Sequence, residues 1–113
     1  MRTFRLIFVF ALLLLRYSQD ATAQPAPENF WAYTNRQFPY DREARMQRMS
    51  GTGVFRLRID QKTGRVTEVA VMKSTGWKHL DQAAAATLVG WRARIPASRS
   101  TVTVPVTFLN SPP

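Results

Sequence analysis

The sequence predicts an α+β domain: a three-stranded antiparallel sheet with two helices on one face, in the order helix, strand, strand, helix, strand. Two segments that alternate apolar and polar residues are separated by a short turn, which is typical of a β-hairpin. A segment with helical period follows, and a third alternating segment lies near the end of the chain. Because two strands cannot bury a face alone, the third is expected to join them.

The start of the chain is typical of a secretory signal peptide. Arg2 and Arg5 precede the apolar run 6–15, and Ala21-Thr22-Ala23 fits an A-x-A cleavage site. The alternative is an anchor in the inner membrane, but a helix of about ten residues rises only about 15 Å, half of a bilayer core. We therefore expect three regions: a signal peptide cleaved after Ala23 (1–23), a leader (24–37) and the folded domain (38–113).

A group of aromatic residues precedes the first regular element. Its members are Phe30, Trp31, Tyr33, Phe38 and Tyr40. Such a group can form a stacking platform for nucleic-acid bases. We favour the other interpretation, in which these rings pack across one end of a small core.

A short helix is predicted over residues 41–49. Asp41 suits the N-cap, since its carboxylate can accept a hydrogen bond from a free backbone N–H of the first turn. Arg42, Arg45 and Arg48 recur at spacing three and are expected on a solvated face, with an anion-binding face as the alternative. The glycine-containing residues 50–53 end the helix.

The hairpin comprises the alternating segments 54–60 and 66–73, joined by the turn residues 61–64. The clearest helix covers 80–91, where apolar residues recur every three or four positions. The last strand covers 101–108. The core residues predicted from these patterns are Phe55, Leu57, Ile59, Val69, Val71, Leu80, Ala84, Leu88, Trp91, Val104 and Val106.

The second helix carries the chain back, so the last strand should run parallel to the second strand and lie antiparallel beside the first. The expected order is second, first, last, which leaves the last strand at an edge. Pro105 lies in the middle of this strand and cannot donate a ladder hydrogen bond. An edge strand tolerates it if Thr101, Thr103, Pro105 and Thr107 direct their backbone groups away from the sheet.

Few residues suit catalysis or metal binding. The chain contains one histidine and no cysteine, whereas a structural zinc site usually needs four N or S ligands. Ser74, His79 and Asp81 can be combined into a triad only on paper, because no nucleophile elbow is present. We therefore expect no enzyme activity, no cofactor and no metal.

Five motifs resemble the C-terminal domain of TonB-family energy transducers. They are "YDREAR", "GTGVFRLRIDQKTGRVTEVAVMKSTG", "HLDQAAAATLVGW", "IPA" and "VPVTF", in this order over residues 40–108. The resemblance implies a small antiparallel sheet with two helices on one face. It also implies that an extended segment of an outer-membrane transporter is added as a strand beside the last strand.

Together with the predicted signal peptide, this resemblance implies a periplasmic protein-binding module related to energy transduction toward outer-membrane transporters. We expect partner binding at Thr101, Thr103, Pro105 and Thr107, by an envelope protein, an extended peptide or a second copy of the chain. Nucleic acid is not expected, since an exported protein meets other anions first. Two alternatives remain: a basic module bound to peptidoglycan or anionic lipid, given the net charge of +9, and a short membrane-anchored transducer subunit.

Overall fold

The computed structural model describes residues 24–110. The predicted signal peptide therefore lies outside the described residues. The elements are β1 (Trp31–Tyr33), α1 (Arg42–Met46), β2 (Gly51–Ile59), β3 (Val66–Lys73), α2 (Lys78–Leu88), β4 (Arg92–Ala93) and β5 (Thr101–Phe108).

The main sheet has the strand order β3-β2-β5, and both pairs are antiparallel. This confirms the predicted order, in which the strand nearest the C-terminus lies beside the first strand of the hairpin. Phe55 of β2 lies opposite Val71 of β3 and Val104 of β5. The strand β2 is therefore central, and β3 and β5 are the two edges.

The hydrophobic core lies on one face of this sheet. Inward-pointing residues of β2 and β5 pack with Leu80, Ala84 and Leu88 of α2, and Ala44 of α1 joins the same cluster. Both helices therefore cover the same face, as predicted. The most completely buried large side chains are Trp91, Phe55, Leu57, Leu80, Leu88 and Val102.

The prediction that Val71 is buried is wrong, because its side chain is 47% exposed. Val69, two residues earlier, is only partly buried against the core. Alternation determines which face a side chain takes, but it does not show how far the helices extend over an edge strand. Among residues 24–110 no strand pairs with the outer side of β3, and Val69 and Val71 stay partly open.

Both helices differ in their bounds from the prediction. The first helix begins at the predicted N-cap, since the Asp41 carboxylate accepts a hydrogen bond from the Ala44 N–H at 3.0 Å. It ends at Met46, because Arg48 takes a φ of 51°, in the left-handed region. The second helix ends at Leu88, so Trp91 lies beyond it in the segment that leads into β4.

A second, two-stranded sheet pairs β1 with β4, and the sequence analysis did not predict it. Trp31 lies opposite Ala93 in this sheet. The aromatic group packs around it as expected: the rings of Trp31 and Trp91 meet edge to face at 5.1 Å, and Phe38 contacts Phe108. Tyr33, at 56% exposure, is the exception.

Candidate partner-binding edge

The side chains of β5 alternate between the core and the open face of the sheet. Val102, Val104, Val106 and Phe108 are buried. Their neighbours Thr101 and Thr103 are half-buried, and Pro105 and Thr107 are exposed. The Thr107 hydroxyl lies 2.9 Å from that of Thr52 on β2, so this face carries polar contacts between strands. The open face of β5 is therefore mostly threonine.

Backbone groups of β5 also alternate, between β2 and the outer edge. At the start of the strand, Ile59 donates its N–H to the Ser100 carbonyl at 2.7 Å, so even-numbered residues bond to β2. Thr103 instead directs its N–H outward. Pro105 has the same parity as Thr103, and Val54 remains opposite it in the β2 ladder. The missing N–H of Pro105 therefore interrupts the outer edge and leaves the sheet intact.

The outer edge of β5 is in contact with the first described residues of the chain. Thr103 donates its N–H to the Gln24 carbonyl at 3.0 Å, and Pro25 forms a parallel bridge with Thr103. The Arg99 guanidinium donates to the Pro25 carbonyl at 3.2 Å. Sequence reasoning treated these residues only as a leader, because a segment with two prolines and no alternation carries no strand signal.

The parallel pairing is short, and Pro105 accounts for its length. In such a ladder the next outward donor after Thr103 is residue 105, and a proline there has no N–H. Just beyond the bridge, Phe30 donates its N–H to the Pro27 carbonyl at 3.0 Å, and the chain turns away. The contact between the edge and this segment therefore lies on the N-terminal side of Pro105.

Comparison with known families supports the relationship that the motifs predict. The family model described as the Gram-negative bacterial TonB protein C-terminal matches residues 36–109, well over half of the chain. The chain belongs to this TonB C-terminal family. No curated protein and no solved structure matched the chain.

TonB C-terminal domains are non-enzymatic modules of energy transduction and protein interaction, and they interact with proteins of the Gram-negative envelope. The family therefore indicates an envelope location and a transport-related role for this domain. No helix within residues 24–110 is long enough and apolar enough to span a membrane. The same residues contain no cluster of three His, Asp or Glu side chains suited to a metal ion.

The structure does not assemble the triad considered from Ser74, His79 and Asp81. The Asp81 carboxylate accepts hydrogen bonds directly from the Ser74 hydroxyl and from the Thr75 N–H and hydroxyl. His79 points elsewhere, with its Nε2 at 2.9 Å from both oxygens of Asp41. A histidine that does not lie between serine and aspartate cannot serve as their base.

These carboxylates instead stabilise the loop and the helix starts of this TonB C-terminal domain. Burial raises the pKa of Asp81, but the hydrogen bonds from Ser74 and Thr75 outweigh it and leave that pKa below its usual value. The hydrogen bond from the Ala44 N–H lowers the pKa of Asp41, and the hydrogen bond with His79 lowers it further. The hydrogen bond to Asp41 raises the pKa of His79. The pair Asp41–His79 connects the N-terminal ends of the two helices.

Proposed function

We propose that this protein is a periplasmic protein-binding module that binds an extended peptide along the outer edge of β5. The outward backbone groups of Thr101, Thr103 and Thr107 would pair with it, and Pro105 would limit the length of the pairing. The observation that carries this proposal is the hydrogen bond from the Thr103 N–H to the Gln24 carbonyl. This bond supports the proposal because it joins the outer edge of β5 to the backbone of an extended segment.

The partner that fits this edge best is an extended segment of an outer-membrane transporter exposed to the periplasm. Strand addition depends on backbone hydrogen bonds, so it places few demands on the side chains of the partner. Membership of the TonB C-terminal family supports this class of partner. A second copy of the chain remains an alternative occupant.

A periplasmic location would follow from export and cleavage after Ala23, which the sequence of residues 1–23 favours. Mass spectrometry of the exported protein should find Gln24, or its cyclised form, as the first residue. Recovery of the uncleaved chain in the membrane fraction would contradict this and favour the anchored transducer.

Peptide binding is tested with a charge placed on the proposed edge. Synthetic peptides that copy the periplasmic N-terminal segments of outer-membrane transporters from the same organism are titrated by calorimetry into the wild type and into Thr103→Asp. We expect the variant to bind at least about tenfold more weakly, equivalent to about 1.4 kcal/mol, with an unchanged melting temperature. Thr67→Asp, on the opposite edge strand β3, is the matched control and should bind normally. Equal binding by Thr103→Asp and the wild type would place the site elsewhere.

One observation favours the basic envelope module as a second candidate. Arg65 and Arg92 lie directly opposite each other in an antiparallel bridge. In the described part of the chain, neither has a carboxylate within salt-bridge distance. Like charges placed opposite each other repel, and an anion would relieve this repulsion.

Salt dependence separates the two candidates. Charge-driven binding to peptidoglycan or to vesicles containing anionic lipid should collapse as the salt concentration rises, because exposed charges are screened. Strand addition should depend on salt much less. Arg65→Gln combined with Arg92→Gln should abolish anion binding and leave peptide binding unchanged.

A further inference from the structure

The first residues after the predicted cleavage site occupy the edge at which a partner is proposed to bind. Gln24 accepts the hydrogen bond of Thr103, Pro25 bridges Thr103, and Ala26 packs partly buried against the core. We propose that the segment 24–26 is an intramolecular occupant of the β5 edge, which a partner must displace before it can bind. This inference rests on the proposed function of the edge.

The contacts of the segment suit an occupant that can leave. The hydrogen bond from Thr103 to Gln24, the short parallel bridge at Pro25 and one exposed guanidinium contact, from Arg99, hold it on the edge. Gln24 and Pro25 are exposed, and only Ala26 reaches the core. Nothing else in the described fold depends on residues 24 and 25, so their release would leave the sheet and both helices in place.

The contact between the segment 24–26 and the β5 edge is populated although it is weak, because the segment is covalently attached to the domain. The segment is connected to the buried Phe30 through a few residues, so its effective concentration at the edge is high. A free peptide with the same contacts competes at a disadvantage. The segment would therefore raise the peptide concentration needed for binding, and only a partner with additional contacts would displace it.

The occupant also indicates which partner chemistry the edge accepts. The bridge is parallel, with the Gln24 carbonyl as acceptor for Thr103. In this bridge pattern the N–H of the central partner residue points away from β5, so proline at that position loses no ladder bond. A small apolar residue follows, at the position of Ala26. We therefore expect a competing partner to present a short parallel segment that tolerates proline at its centre and carries a small apolar residue after it.

Amide hydrogen exchange measured by NMR tests the occupancy without any partner. In the exported protein, the Thr103 amide should exchange slowly because it donates to Gln24. Ala26→Asp should accelerate its exchange at least tenfold, since a charge disfavours the packed position of Ala26. The amides of Val102 and Val104, which face β2, should keep their protection and thereby report an intact fold. Ala86→Asp, on an exposed position of α2, is the matched control and should change none of the three.

Arg99→Ala provides a second variant that does not alter the segment itself. It removes the guanidinium contact to the Pro25 carbonyl and should also accelerate Thr103 exchange, by a smaller factor. Fast Thr103 exchange in the wild type, or identical exchange in the wild type and both variants, would overturn the proposal.

Peptide binding then separates this inference from the proposed function. The probes are the transporter peptides described above and a synthetic peptide with the sequence of residues 24–28. Ala26→Asp should bind the transporter peptides at least about threefold more tightly than the wild type, and the 24–28 peptide should shift the Thr103 resonance only in the variant. If Thr103 is released as expected but no transporter peptide binds either form, the occupancy stands and the proposed partner is wrong. If the peptides bind both forms equally and Thr103 exchange does not change, the function stands and the occupancy is wrong.

Discussion

The indole Nε1 of Trp91 donates a hydrogen bond to the backbone carbonyl of Asn35 at 2.9 Å. The ring is almost completely buried, meets Trp31 edge to face and carries the Arg36 guanidinium 5.3 Å from its centroid. Trp91 therefore connects the segment between β1 and α1 to the segment that leads into β4. One side chain holds the two-stranded sheet against the main core.

Replacing Trp91 by alanine should lower the free energy of unfolding by about 3–5 kcal/mol, because a large buried side chain leaves a cavity. Trp91→Phe keeps an aromatic ring but loses the hydrogen bond to Asn35, so we expect a smaller loss of about 1–3 kcal/mol. Urea denaturation followed by circular dichroism measures both. An alanine variant as stable as the wild type would show that the ring contributes little to the core.

Gly64 allows the hairpin turn to contact β4. Its φ is +75°, and a Cβ at this position would lie 2.3 Å from the Ala93 carbonyl oxygen. Gly76 also has a positive φ, +98°, but no atom lies within 4 Å of its Cβ position. A residue with a Cβ would be strained at either position, but the two positions differ in the space available for it.

Gly76→Ala should cost about 1–3 kcal/mol of stability from backbone strain alone. Gly64→Ala should cost at least about 1 kcal/mol more, because the added methyl group displaces β4. Thermal unfolding of the two variants under the same conditions gives the comparison. Equal losses would mean that the turn and β4 separate without penalty.

The main sheet could be predicted from the sequence because alternation in residues 54–60, 66–73 and 101–108 is local and regular. The strand order followed from the direction in which α2 returns the chain. The two-stranded sheet could not be predicted, since strands of three and two residues are too short to show a period. The exposure of Val71 depends on how far the helices extend, which no local pattern reports.

The outward direction of the Pro105 backbone could be inferred from the sequence, because Pro105 alternates with Val104 and Val106, which face the core. The contact between Gln24 and Thr103 could not, because it joins residues almost eighty positions apart through backbone atoms and leaves no trace in side-chain chemistry. The packing of Phe30 and Trp31 could be inferred from the density of aromatic residues, but the position of Trp31 in the strand β1 could not.

The pair Asp41–His79 should make stability depend on pH. The pKa of His79 is raised above its ordinary value of 6.5. The contribution of the protonated imidazole to the free energy of unfolding is therefore complete below pH 6.5 and is lost as the pH rises through the folded-state pKa. The pKa of Asp41 is lowered below 3.8, so its contribution is present above pH 3.8 and is lost as the pH falls through its folded-state pKa. Both residues therefore contribute fully to stability between pH 3.8 and pH 6.5.

We therefore expect the melting temperature to stay level just below pH 6.5 and to fall as the pH rises above it, because the imidazole loses its proton there. His79→Gln should flatten this dependence, because glutamine does not titrate. Differential scanning calorimetry in buffers of equal ionic strength measures it. A dependence of the same size in His79→Gln would assign the titration to another group.

Pro105→Val tests whether the proline limits pairing at the outer edge of β5. The fold should remain intact and the melting temperature unchanged, because the restored N–H points away from β2 and joins no bond inside the sheet. A new donor at this position would allow the outer ladder to continue beyond Thr103. Longer unprotected edges favour pairing between copies, so we expect dimers at high concentration, detected by size-exclusion chromatography with light scattering.

Thr107→Val is the matched control for Pro105→Val, because it adds a β-branched apolar side chain on the same face of β5 and leaves every backbone donor as it was. If the missing donor is what limits pairing, Pro105→Val should dimerise and Thr107→Val should remain monomeric. Dimers from both variants would instead assign the effect to the hydrophobicity of the open face. If Pro105→Val unfolded, the backbone of residue 105 could not point away from β2. A valine at an outward-facing edge position does not disturb the pairing of β5 with β2.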